Sequence, residues 1–189
     1  MLKNSLNCHS DPRAWSRKGR ACKSLILNRQ DEYVVNTSRL GEFLWELKQA
    51  LRLGRRDCNV CLVDDKQIKR LNFLHLGKNR ATDVLSFAWH ADSQPAPRSR
   101  SGRGRPRHES RNAEEGAISE FKNFLGDIVI SVDTAKRNAR LEGHSTLNEI
   151  RWLILHGVLH LLGYDHEEDR GEMTRLELSL RKRLRIARD

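Results

Sequence analysis

Three histidines carry most of the chemical information in this chain. His156, His160 and His166 fall within the run His156-Gly157-Val158-Leu159-His160-Leu161-Leu162-Gly163-Tyr164-Asp165-His166, and the whole sequence contains only eight histidines. Residues four apart on a helix project from the same face, one turn above the other. His156 and His160 therefore have the spacing that two ligands of one metal ion require. Gly163 permits a helix-ending backbone conformation that other residues resist, so the chain can turn back and deliver His166 to the same point. Three imidazoles leave the fourth position of tetrahedral zinc open to water, as hydrolytic sites need and closed structural sites do not allow. The expectation is one zinc ion per chain on His156, His160 and His166.

The spacing also matches the zinc signature H-E-x-x-H-x-x-G-x-x-H of metzincin proteases. In that signature the Glu is the general base, and here Gly157 takes its place. A peptidase of that mechanism would lack its proton acceptor. Asp165, beside a ligand, and Glu149, two turns upstream of His156, suit orienting or structural roles, which leaves the catalytic base unassigned. Met173 is read as a core residue.

Composition narrows the setting. The chain has 189 residues, 38% of them hydrophobic and 32% charged, which fits one soluble domain with length to spare for tails or loops. A net charge of +10, from 35 Lys+Arg against 25 Asp+Glu, suggests a polyanionic partner. No apolar run reaches the ~20 residues of a membrane span, and residues 1–24 contain none that suits a secretion signal. The expected compartment is the cytoplasm, with thiols reduced. Cys58 and Cys61 form C-N-V-C, but the pair lies in a strand-like run where residues three apart face opposite ways. It is read as two ordinary, partly buried cysteines rather than a metal or redox motif.

Periodicity then supplies the elements that must position the histidines. Residues 1–24 read as a flexible basic extension. A strand is expected at Leu25–Leu27, then an amphipathic helix carrying Leu40, Phe43, Leu44, Leu47 and Leu51, capped by Asn36, Thr37 or Ser38 and stopped at Gly54. A strand at Cys58–Val63 follows, then a short helix capped by Asp64 or Asp65. Further strands are expected at Val84–Phe87 and Leu125–Ile130, joined as an antiparallel pair. Between them, residues 91–118 hold three of the four prolines and six arginines, and read as a mobile Arg-rich loop. A helix capped by Asp133 and ended by Gly143, a longer one over Thr146–Leu162 and a basic last one over Met173–Ile186 complete an α+β domain. Its boundaries are 25–189, and its mixed, mostly four-stranded sheet is packed with helices. The zinc site falls on a helix of the C-terminal half and the turn after it.

The eleven-residue histidine motif resembles the signature of the YbeY family, the bacterial rRNA maturation factors regarded as metal-dependent endoribonucleases. The likeness continues through Leu62-Val63-Asp64-Asp65 with Ile68 and Leu71-Asn72. It extends through Thr82-Asp83-Val84-Leu85-Ser86-Phe87, then Leu125 to Ser131, Asp133-Thr134-Ala135, and Met173 with Leu176-Glu177. It implies zinc-dependent, single-strand-specific cleavage of ribosomal RNA, in maturation of the 16S 3′ end and in ribosome quality control. It also implies the small ribosomal subunit as partner. Two positions depart from the family pattern: Leu76 stands where the family often has Arg, and Ala81 where it has Pro. Lys78 and Arg80 lie beside these positions and are candidate RNA contacts. The alternative is an RNA- or ribosome-binding assembly factor with a non-catalytic zinc site.

Overall fold

The computed structural model describes residues 25–89, 123–164 and 171–186. The expected basic extension at 1–24 and the Arg-rich loop at 91–118 lie outside the described residues, as do Asp165 and His166. In chain order the elements are β1 (Ile26–Asn28), α1 (Thr37–Ala50), β2 (Asp57–Val63), α2 (Asp65–Leu76), β3 (Val84–Ala88), β4 (Phe124–Ser131), α3 (Val132–Glu142), α4 (Thr146–Leu161) and α5 (Glu172–Arg183). The four strands form one sheet in the order β1-β2-β4-β3. β1, β2 and β4 run parallel, and β3 pairs with β4 antiparallel through Val84↔Ile130 and Phe87↔Asp127. This is the mixed four-stranded α+β architecture that the periodicity implies.

The sheet is covered on both faces, and strand alternation decides which residues meet which cover. Cys58, Val60 and Leu62 of β2 and Ile128 and Ile130 of β4 enter the larger core with Leu40, Phe43, Ile154, Val158 and Met173 from α1, α4 and α5. Cys61 and Val63 of β2 and Val129 of β4 enter a smaller core with Ile68 of α2 and Leu85 of β3. The two cysteines of C-N-V-C thus lie on opposite faces, both buried and free. Burial pushes the Cys58 thiol up to about 12, so at neutral pH it stays protonated and unreactive.

Local signals set most boundaries. Asn36, Asp64 and Ser145 cap α1, α2 and α4 by accepting from the backbone N–H of Arg39, Gln67 and Asn148. Two details differ from the sequence reading. Helix α1 ends at Ala50, before Gly54, and Arg52 takes a left-handed φ of 53°. The cap of α3 is Ser131, the last residue of β4. Asp133 instead accepts from the backbone N–H of Asp65 at 2.8 Å. Asp65 in turn accepts from Ser131 Oγ at 2.5 Å and Thr134 Oγ1 at 2.8 Å, and pairs with Arg137 at 2.8 Å. Partial burial would raise the Asp65 carboxyl pKa, but these donors outweigh it and hold the pKa below its ordinary value. The network ties the start of α2 to the start of α3, 66 to 69 residues apart in sequence.

Candidate metal centre and adjoining cavity

Helix α4 is apolar on most of its circumference, with Ile150, Leu153, Ile154, Leu155, Val158 and Leu159 buried. Gly157 is the point where it meets the sheet. A Cβ placed there would stand 2.8 Å from Ile128 Cγ2 and 3.1 Å from Ser86 Oγ. Any larger residue would drive a side chain into the strands β3 and β4. The missing metzincin Glu therefore has a geometric basis: position 157 faces the sheet.

The side chains of His156 and His160 leave α4 away from that contact and remain partly exposed. Their Nε2 atoms are 3.1 Å apart, and their rings cross at 76° with centroids 4.6 Å apart. Two nitrogens each about 2.0–2.1 Å from a tetrahedral zinc ion would lie roughly 3.3–3.4 Å apart. The pair fits zinc with a shift of a few tenths of an ångström. At the end of α4, Gly163 adopts φ 89° and donates its N–H to His160 O at 2.9 Å, so the chain turns where the sequence indicates. The described residues after that turn stop at Tyr164 and resume at Gly171. Among the described residues, no three His, Cys, Asp or Glu converge to hold an ion. His156 and His160 converge as a pair.

Behind the pair lies a carboxylate that the sequence reading placed only as part of a family-like helix. Glu177 Oε1 stands 3.4 Å from His156 Nδ1, and the same oxygen accepts from Trp152 Nε1. The Arg181 guanidinium stacks over the Trp152 ring at 4.0 Å. Glu177 is buried, on the face of α5 that also buries Met173 and Leu180. A signal was present in the sequence: Glu177 falls within the helical stripe Met173, Leu176, Leu180, Leu184, and a carboxylate in an apolar stripe needs a partner.

A cavity of about 350 Å³ opens beside His156, lined among others by Asp83, Asn138, Glu142, Glu149 and Trp152. Its charge is acidic. Glu149 is buried, with Oε2 3.1 Å from His144 Nε2, so it braces α4 against the end of α3 instead of reaching His156. Burial raises the Glu149 carboxyl pKa most, His144 and Asn138 oppose it, and Asp83 and Glu142 push it up further, leaving it above its ordinary value.

Lys78 and Arg80 are exposed on the turn between α2 and β3. That turn is held by backbone and side chain alike: Asn72 Nδ2 donates to Arg80 O at 2.9 Å, and Lys78 N–H to Asn72 O at 3.3 Å. Helix α2 packs on the smaller core, across the sheet from α4. The structure brings Asp83, three residues after Arg80, to the His156 cavity; it does not place Lys78 or Arg80 in its lining.

These features define a class: an α+β protein that presents a His-x₃-His helical pair, backed by a buried carboxylate, at the edge of an acidic cavity. The family follows from sequence comparison. The family model described as Endoribonuclease YbeY matches residues 26–185, and the chain belongs to that family. It is 44% identical over 134 residues to the Endoribonuclease YbeY of Nautilia profundicola, covering 71% of this chain and 76% of that one. It is 41% identical over 170 residues to the Endoribonuclease YbeY of Desulforamulus reducens, covering 87% and 98%. The solution structure of TM1509 from Thermotoga maritima shares the fold, with a TM-score of 0.52 at 22% identity over 85% of this chain and 87% of that one.

Proposed function

We propose that this chain is a zinc-dependent endoribonuclease that cleaves single-stranded RNA. The reading includes rRNA maturation at the 16S 3′ end, ribosome quality control, and the small ribosomal subunit as partner. One zinc ion is held by His156, His160 and His166. The observation that carries the reading is the His156–His160 pair, with its Nε2 atoms 3.1 Å apart in a chain of the YbeY family. When bound, zinc lowers the pKa of its water to about 7 and stabilises charge on a phosphoryl oxygen.

The protein's own residues divide the remaining work. His156 and His160 face one point, and the apolar packing of α4 fixes their backbone. The acidic cavity beside them, with Asp83, Glu142 and Glu149, repels phosphate, so the RNA backbone is held from outside it. Lys78 and Arg80 project into solvent on the turn that leads to Asp83 and are suited to that contact. The net charge of +10 favours association with a polyanion. Among the described residues no helix is long and apolar enough to cross a membrane, which suits the cytoplasmic setting proposed here.

A second reading, an assembly factor with a non-catalytic zinc site, is favoured by one position. Leu76, where the family often has Arg, is 56% exposed at the end of α2 and offers no charge to a phosphate. Incubating purified protein with single-stranded RNA separates the two. Cleavage that needs zinc and is lost in His160→Ala supports the nuclease; binding without cleavage at saturating zinc supports the assembly factor.

A further inference from the structure

The Nε2 atoms of His156 and His160 face one another at 3.1 Å, close to the separation of two ligands of one ion. A ring nitrogen binds zinc only through a lone pair, so a neutral imidazole must carry its proton on the other nitrogen. For His156, what fixes that proton is the atom behind the ring. Glu177 Oε1 sits 3.4 Å from His156 Nδ1, on the side of the ring away from His160. A carboxylate there draws the ring proton to Nδ1 and leaves the Nε2 of His156 as a lone pair.

The carboxylate is itself held. Trp152 Nε1 donates to the same Oε1, and Trp152 lies one turn before His156 on α4. The Arg181 guanidinium covers the Trp152 ring from α5. Glu177 is 8% exposed, so it reaches α4 with little water to compete for the contact. Helix α5 thus presents one carboxylate oxygen to two residues of α4, and only one of them, His156, faces the metal position.

We propose that Glu177 is a positioning residue for the metal centre, fixing His156 in the Nδ1–H tautomer so that its Nε2 is committed to the ion before the ion arrives. The idea rests on the zinc reading of the histidine pair. A bland alternative exists: Glu177 and Trp152 serve only to dock α5 onto α4.

The test combines nitrogen-15 NMR of the histidine rings with zinc titration against a competing chelator. In wild-type protein stripped of zinc, His156 is expected as the Nδ1–H tautomer. Wild-type His156 found as Nε2–H overturns the proposal without any variant. Glu177→Ala is expected to weaken zinc binding by about 10- to 100-fold, the usual effect of losing such a partner, and to give His156 a mixture of tautomers. Glu177→Gln keeps an oxygen acceptor and should recover the Nδ1–H tautomer and part of the affinity. Trp152→Phe is expected to loosen α5 while changing zinc affinity only a few-fold. If Glu177→Ala and Trp152→Phe lower thermal stability equally and leave zinc affinity unchanged, Glu177 is only a docking residue. If wild-type protein binds no zinc but His156 is Nδ1–H, the zinc reading fails while the tautomer assignment stands.

Discussion

Substituting Gly157 tests the claim that the missing metzincin glutamate reflects packing. In Gly157→Ala the new methyl would lie 2.8 Å from Ile128 Cγ2 and 3.1 Å from both Ile128 Cδ1 and Ser86 Oγ. Ile128 is fully buried in the larger core, and its Cγ2 is fixed close to the β4 backbone, so it cannot swing aside cheaply. Forcing one methyl into such a contact costs about 1–3 kcal/mol. Replacing glycine by alanine within a helix returns roughly 0.5–1 kcal/mol. The net expectation is a loss of about 1 kcal/mol, which for a chain of this size lowers Tm by roughly 2–4 °C. Gly157→Glu adds the burial of a carboxylate without a partner and should cost well over 3 kcal/mol in all. Urea denaturation measures both. Ile128→Ala would open a cavity on its own, at about 2–5 kcal/mol, but combined with Gly157→Ala it should cost less than the sum, because the added methyl occupies space that the deletion vacates. If Gly157→Ala is more stable than wild type, helix propensity alone governs the position and the packing argument fails.

Three other outcomes follow from the same structure. Asp65, held below its ordinary pKa by Ser131, Thr134 and Arg137, contributes stability that is present above about pH 3.9 and is lost as pH falls through its lower folded value. Asp65→Asn should remove that acid-side loss, leaving a flatter urea stability profile at low pH; an unchanged slope would mean the network is not formed. Cys58, with its thiol pushed up to about 12, and buried Cys61 should react with a disulfide reagent at pH 8 only as fast as the protein unfolds; rapid native-state labelling of either would contradict the core assignment. Lys78→Ala and Arg80→Ala should each weaken RNA binding and lower the salt slope by about one counterion; an unaltered slope removes the turn from the RNA path.

Much of this architecture is legible in the residues, for physical reasons. The alternation of β2 separates Cys58 from Cys61 because strand side chains alternate faces, and the two cores confirm it. Asn36, Asp64 and Gly143 mark helix ends because each meets a specific backbone need. The sequence points to Asp133 as the cap of α3, but β4 runs into the helix without a loop, so the last strand residue, Ser131, does the capping. Ser131 and Asp133 both carry a side-chain oxygen able to cap; only the proximity of Asp65 shows that Asp133 is engaged elsewhere. The histidine spacing reads directly as a shared helix face. Its supporting carboxylate does not, because Glu177 meets His156 only once α5 packs on α4. The acidic cavity was likewise hidden, since Asp83, Glu142 and Glu149 come from three separate segments.

The central claim is that one zinc ion on His156, His160 and His166 supports RNA cleavage. Its most direct test is to strip the full chain with a chelator, restore zinc in steps, and measure bound zinc and cleavage of a single-stranded RNA in the same samples. The account predicts saturation at one zinc per chain, with cleavage rising in proportion, and neither in the variant with all three histidines changed to alanine. Cleavage that persists in the stripped protein, or in the triple variant, would contradict it.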